Sequence, residues 1–274
     1  MAFQATIDND SVAALDTVCF RGRVVIVDSD EGVEAACDEL QRARVIGFDT
    51  ETRPSFRAGV SYKVALLQLS TADTCYLIRL NLVRLSNRLL KILGSRQILK
   101  VGADVAGDIR ALHQLRHFRA DGFVDLQHEA IRWGIEEKSL RKLSAIVLGL
   151  RVSKAQRLSN WEARQLTEQQ VDYAATDAWV CIRILEELQR VEPQTAGELT
   201  IISSQDDSSA AHKNSVEAEK RPNHRRWHLR GAKRADDNGR SRGATHPQTR
   251  RFIKGGVQNR GRNQDRDKQE IVKI

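Results

Sequence analysis

The hydrophobic pattern of this chain changes period as it runs. Gly22-Arg23-Val24-Val25-Ile26-Val27-Asp28 is a short apolar run bounded by turn residues, which predicts a strand. Ser29 or Asp30 can then cap a helix through about Arg42, with Val33, Ala36, Leu40 and Ala43 at helical spacing. A second strand, Val45-Ile46-Gly47-Phe48-Asp49-Thr50-Glu51-Thr52, follows directly. Past a loop marked by Pro54 and Gly59, Lys63-Val64-Ala65-Leu66-Leu67-Gln68-Leu69-Ser70 is almost continuously apolar, as strands buried on both faces are. Thr74-Cys75-Tyr76-Leu77-Ile78 reads as its hairpin partner. Beyond Asn81 the pattern predicts a helix over 82–93, a strand over 97–101, a helix over 103–115 and a strand at 122–124. Shorter helices fall within 126–148, and a last helix runs from Thr167 to about Val191. Strands first and then alternation with helices indicate an α/β fold, a mixed sheet with helices on its faces. Residues 1–21 carry little pattern, and no repeat is evident.

After Pro193 the character changes to Ser, Asn, Gln, Arg and Gly with scattered apolar residues, which predicts a disordered tail. Lys plus Arg balance Asp plus Glu at 26 each over residues 1–194, but stand at 18 against 10 over 195–274, so the whole net charge of +8 belongs to the tail. The expected organisation is an N-terminal segment (1–21), one domain (22–192) and a basic tail (193–274). Such a tail suits a nucleic acid or another polyanion. Arg230-Gly231, Arg242-Gly243 and Arg260-Gly261, interleaved with Trp227 and Phe252, have the composition of flexible RNA-contacting segments. A solvated tail with no dedicated partner is the other reading. Cys19, Cys37, Cys75 and Cys181 lie far apart without C-x-x-C spacing, and read as small buried hydrophobes rather than zinc ligands. With no signal peptide and no apolar run long enough to span a bilayer, the expectation is a reduced, cytoplasmic protein without membrane attachment.

Two carboxylates close the second strand. Asp49 and Glu51, two residues apart, leave the same face of the sheet, roughly 6.5 Å apart along it. Like charges held about 4 Å apart at an effective dielectric near 20 repel by roughly 4 kcal/mol, so the pair calls for a cation. The plainer reading is that Asp49 caps the next element and Glu51 is solvated. Two helices bear on the choice. Thr167-Glu168-Gln169-Gln170 has the form of a capping box, which fixes the start of the last helix. Asp172 and Thr176 then fall in its polar arc, whereas Tyr173 and Asp177 share a line with Ile184 and Leu188 outside it. A carboxylate on an interior face needs a charge partner or a metal, because desolvating it alone costs several kcal/mol or more. In the helix over 103–115, Asp108 lies near the middle of the arc of Val105, Ile109 and Leu112, while Asp104 is close enough to the start to be an N-cap. Asp49, Glu51, Asp108 and Asp177 together make a hard oxygen cluster suited to two ions, Mg²⁺ or Mn²⁺. Such ions activate a water and stabilise in-line displacement at a phosphodiester. Tyr173 would orient that water. Lys154, Arg157 and Asn160, in the stretch before the last helix, either touch a substrate backbone or form a solvated loop. His113, His117 and His128 read as surface or structural residues.

The set Phe48-Asp49-Thr50-Glu51-Thr52, Val101-Gly102 with Asp108 six residues beyond the glycine, and Tyr173-Ala174-Ala175-Thr176-Asp177 resembles the three motifs of the DEDD exonucleases. Its Tyr-x-x-x-Asp form is similar to the DEDDy branch, with ribonuclease D and the Werner exonuclease domain. Lys63–Leu69 and Leu158-Ser159-Asn160-Trp161 add to the likeness, which covers roughly residues 22–190. The resemblance implies a ribonuclease-H-like fold with a central five-stranded mixed sheet. It also implies a 3′–5′ exonuclease releasing nucleoside 5′-monophosphates from DNA or RNA, with no small-molecule cofactor. Asp49, Glu51 and Asp177 would hold the first metal, Asp49 would bridge to the second, Asp108 would hold that one, and Tyr173 would position the nucleophile. A protein of another class, binding nucleic acid through its basic tail without cleaving it, is the alternative.

Overall fold

We describe residues 2–204 and 269–274 of a computed structural model. Seven strands form one sheet: β1 (Arg23–Val27), β2 (Val45–Thr52), β3 (Val64–Ser70), β4 (Thr74–Ile78), β5 (Leu99–Gly102), β6 (Phe123–Asp125) and β7 (Ile271–Lys273), in the order β6-β5-β2-β3-β4-β1-β7. β3 pairs antiparallel with β2 and β4, and every other pairing is parallel. All seven residues of β3 are buried, as its unbroken apolar run requires of a strand covered on both faces.

Helices cover the two faces. On one, α2 (Asp30–Leu40), α3 (Asn87–Leu93) and α4 (Val105–His113) put Val33, Leu89, Ile109 and Leu112 against Val25, Phe48, Leu67 and Leu69. The other face carries α7 (Glu168–Gln189), packed against α6 (Leu140–Leu148). α7 starts where its capping box predicts, with Thr167 Oγ1 accepting from Gln170 N and Gln170 Oε1 accepting from Thr167 N. Short helices α1 (Asn9–Ala14) and α5 (Leu126–Glu129) complete the set, with one 3₁₀ turn over Ala130–Trp133.

The sheet is wider than the five strands the resemblance implies. β7, three residues at the edge beside β1, has too little length for any period to register, and it follows a charged stretch. Lys273 Nζ pairs with Asp28 at 2.7 Å there. At the opposite edge Ile202 bridges to Phe123, so two parts of the expected tail are ordered, while 205–268, with all its Arg-Gly pairs, lies outside the described residues. The segment read as patternless holds α1, capped by Asp8. The helix expected from residue 82 starts at Asn87, because Ser86 supplies the cap. Thr176, assigned to a polar arc, is buried: the N-terminal segment covers that side of α7, and Phe20 N donates to Thr176 Oγ1 at 3.0 Å.

Candidate active site

The acidic site forms where β2 meets α7. Strand alternation gives Gly47, Asp49 and Glu51 one face, and on that face α7 lies so close that a Cβ on Gly47 would come within 1.9 Å of the Ala178 carbonyl oxygen. Only glycine permits this approach. It delivers Asp177, so that one carboxylate oxygen each from Asp49, Glu51 and Asp177 all lie within 4.8 Å of one another.

Those oxygens cannot all carry charge without compensation. Burial first, then the charge of Asp177, holds the Asp49 carboxyl well above its ordinary range. Burial and then Asp49 push Glu51 to about 10, with Arg157 acting in the opposite sense. Burial raises Asp177 to about 7, against a hydrogen bond from the Tyr173 hydroxyl that favours its ionised form. Tyr173 itself is pushed upward, by burial before its acidic neighbours, and stays a proton donor. Its ring packs near Trp161, centroids 6.0 Å apart.

Asp108 joins from the other face of the sheet. Thr50, between the two β2 acids and alternating away from them, donates to Asp108 Oδ1 at 2.6 Å. Burial, then Asp49, raises the Asp108 carboxyl. Asp108 is outside the trio of oxygens but electrostatically joined to it. Its Oδ2 and Asp177 Oδ1 are buried with no hydrogen-bond partner among the described residues. Such orphans cost free energy unless a ligand meets them.

Asp104 is not the cap its position suggested. Its backbone is left-handed, with φ 64°, and its side chain makes no capping bond; a capping side chain needs extended backbone at that position. The first-turn amide of Val105 is met instead by Asp125 Oδ2 at 3.0 Å. The Asp104 carboxylate lies over Gly107, where a Cβ would be 2.8 Å from Oδ2, and its charge adds to those raising Asp49 and Asp108. Of the loop residues, Arg157 is near enough to act on Glu51, and exposed Asn160 accepts from Glu162 N at 3.2 Å. Lys154 is exposed and has no ion pair among the described residues. His113 binds the Phe118 carbonyl at 3.0 Å, and His128 lies 3.6 Å from Asp125. Two polar residues near the acids escaped the sequence reading. Thr50 could have been found from alternation alone, and Gln68, opposite Asp49 in the register and fully buried, interrupts the apolar run of β3.

Residues 24–191 match the model of a 3′–5′ exonuclease family. The chain belongs to that family. Its site carries the DEDDy set of the ribonuclease-H-like exonucleases. The chain is 34% identical over 156 residues to the mouse bifunctional 3′–5′ exonuclease/ATP-dependent helicase WRN, a match over 54% of this chain and 11% of that protein. It is 34% identical over 178 residues to the Drosophila melanogaster exonuclease 3′–5′ domain-containing protein 2, over 61% of this chain and 30% of that one. The chain therefore spans less than a third of either relative. Among solved structures, the Aedes aegypti Nibbler EXO domain superposes with a TM-score of 0.57 at 27% identity, covering 64% of this chain and 92% of that one. Escherichia coli RNase D shares the fold, with a TM-score of 0.53 at 21% identity over 60% of this chain and 45% of its own.

Proposed function

We propose that this exonuclease domain hydrolyses nucleic-acid phosphodiesters from the 3′ end with divalent metal ions, releasing nucleoside 5′-monophosphates. The observation that supports it most directly is the pair of orphaned buried oxygens, Asp177 Oδ1 within the trio of Asp49, Glu51 and Asp177, and Asp108 Oδ2 on a carboxylate electrostatically joined to that trio. Carboxylate oxygens without donors suit a hard cation, Mg²⁺ or Mn²⁺. Asp49, Glu51 and Asp177 would hold one ion, and Asp49 with Asp108 the second. Bound there, the ions would activate a water and neutralise charge developing on the phosphate.

The protein's own groups do the rest. The Tyr173 hydroxyl, held protonated and donating its one proton to Asp177, orients the attacking water by accepting a hydrogen bond from it, and does not act as base. Arg157, with Lys154 and Asn160 on the same loop, positions the phosphate backbone. A scaffold that only binds nucleic acid is the weaker reading, because acids gathered at 4.8 Å repel phosphates unless cations intervene.

The test uses matched DNA and RNA oligonucleotides, single-stranded and duplex, labelled at the 5′ end and given Mg²⁺ or Mn²⁺. The expected result is a ladder shortening from the 3′ end with mononucleotide product. Failure to shorten any of them, or release of the 5′ nucleotide first, would overturn the reading.

A further inference from the structure

β3 is buried along its whole length, and one of its side chains does not suit that burial. Gln68 is fully buried, and both its amide atoms, Oε1 and Nε2, lack a hydrogen-bond partner among the described residues. An amide withdrawn from water costs free energy unless its donors and its acceptor are met, whereas methionine would fill the same place without that cost. A glutamine kept there calls for a partner.

The register names the candidates. Gln68 stands directly opposite Asp49 of β2 on one side and Leu77 of β4 on the other, and Leu66 and Ser70 flank it on its own face of β3. Leu66 and Leu77 offer nothing to an amide, and Ser70 gives its proton to the Thr71 carbonyl at 2.8 Å. Asp49 is the one anion among the four. Opposite residues of an antiparallel pair share a face with their Cβ atoms about 5 Å apart, which an amide can bridge. The last torsion of glutamine is broad, so Nε2 can turn toward Asp49 without a change of rotamer higher in the side chain. Asp49 also needs a donor. Against burial and the charge of Asp177, one hydrogen bond, from the Thr50 backbone N–H, favours its ionised carboxylate.

We propose that Gln68 is a positioning residue for the metal centre: its Nε2–H donates to the Asp49 carboxylate and fixes the orientation in which Asp49 presents its oxygens to the ions. The inference rests on the metal-dependent reading of the site and adds to it a residue that touches neither metal nor substrate. A ligating carboxylate that is itself hydrogen-bonded has less freedom to lose when the ion binds, and such outer partners are worth about ten- to a hundredfold in metal affinity.

Mn²⁺ titrations of the full chain without nucleic acid test it, with the free ion read by electron paramagnetic resonance and Asp49→Asn marking which ions belong to this centre. Gln68→Met keeps the length of the side chain and removes both amide atoms. Its Mn²⁺ binding should weaken by about tenfold or more, while its metal-free melting temperature equals or exceeds that of wild type, because an unpaired buried amide has gone. Gln68→Glu keeps an acceptor oxygen and loses the donor, so it should bind Mn²⁺ at least as weakly as Gln68→Met. Mn²⁺ held by Gln68→Met as tightly as by wild type would overturn the proposal. So would Gln68→Glu binding as tightly as wild type, since the amide oxygen would then itself be a ligand, and so would a lower metal-free melting temperature for Gln68→Met, since the amide would then serve the fold. Shortening of a 5′-labelled oligonucleotide is followed in parallel. Mn²⁺ binding that depends on Gln68 in a wild-type protein that shortens nothing would sink the exonuclease reading and leave the role of Gln68 standing; a wild type that shortens its substrate while Gln68→Met binds Mn²⁺ equally well would do the reverse.

Discussion

Lys100 and the acids of β2 stand on neighbouring strands of one sheet, and burial treats them differently. Lys100 is fully buried, and its ammonium donates to three backbone carbonyls, of Ser95 at 2.6 Å, Ile98 at 2.8 Å and Asp121 at 2.5 Å. The Phe123 ring lies 4.9 Å away. An ammonium has three donors, and all three are used. Asp49, Glu51 and Asp177 have instead been gathered with one another, and Asp177 keeps an oxygen with no partner. A buried charge whose partners the fold supplies holds structure together. One whose partners are missing awaits a ligand. Burial alone does not separate the two cases, since it pulls Lys100 down to about 7 just as it pushes Glu51 up to about 10. The complement of hydrogen-bond partners does.

The largest effect that would break this contrast is Asp49→Asn. Turnover on any oligonucleotide should fall by about a thousandfold or more, since a carboxylate that would hold the proposed metal ions is lost. The metal-free protein should nonetheless melt higher, because one repelling carboxylate is gone. Lower activity with higher stability is the signature of a site strained for function; a variant that loses both would mean Asp49 serves the fold.

Lys100→Met makes the reverse test. Methionine fills similar volume but strands three carbonyls, so unfolding should become easier by about 3 kcal/mol, read as a lower denaturant midpoint. An unchanged midpoint would mean that the partners of Lys100 contribute nothing and the contrast is empty.

Next in size is the response to pH and metal. Glu51 and Asp177 have folded pKa values of about 10 and about 7, above their ordinary 4.5 and 3.8. The folded state thus keeps protons that the unfolded state releases, and the contribution of these two groups to metal-free stability is full below about pH 4 and is lost as pH rises through 7 and on toward 10. Lys100, lowered from 10.5 to about 7, runs the other way: its folded form is neutral above about pH 7 while the unfolded form stays charged, so it adds stability between 7 and 10.5. Between about pH 4 and 7 the acids act alone. Saturating Mn²⁺ should accordingly raise the melting temperature more at pH 7 than at pH 5, where protons compete. The difference should amount to about 2 kcal/mol, or several degrees. Equal shifts at both pH values would separate the acids from the metal.

How much of this could be read from the sequence depends on the range of the signals. β2, α7 and its capping box declared themselves locally, and the wheel alone put Asp177 on an inner face, where it is 6% exposed. Lys100 gave no sign: a lysine in a four-residue strand reads as a solvated position, and its three acceptors come from residues 95, 98 and 121, which only the fold assembles. β7 and the cover over Thr176 escaped for the same reason, as both rest on contacts from the far ends of the chain. The motif acids were legible because family chemistry fixes their spacing.

Asp108 falls between the two regimes, and Thr50→Val tests which one governs it. One oxygen has the fold's own donor, Thr50 Oγ1 at 2.6 Å, and the other has none. That hydrogen bond favours the ionised carboxylate against burial and against Asp49, which raise its proton affinity. Valine keeps the shape and removes the donor. Protons then compete better with metal at Asp108, so the Mg²⁺ concentration giving half-maximal activity should rise by about five- to tenfold near neutral pH, the value of one hydrogen bond to a charged group. At saturating Mg²⁺ or at higher pH the variant should recover most of its turnover, because the carboxylate itself remains. A loss that neither metal nor pH restores would make Thr50 a contact of the substrate; an unchanged metal dependence would make Asp108 a structural acid, satisfied by its threonine as Lys100 is by its carbonyls.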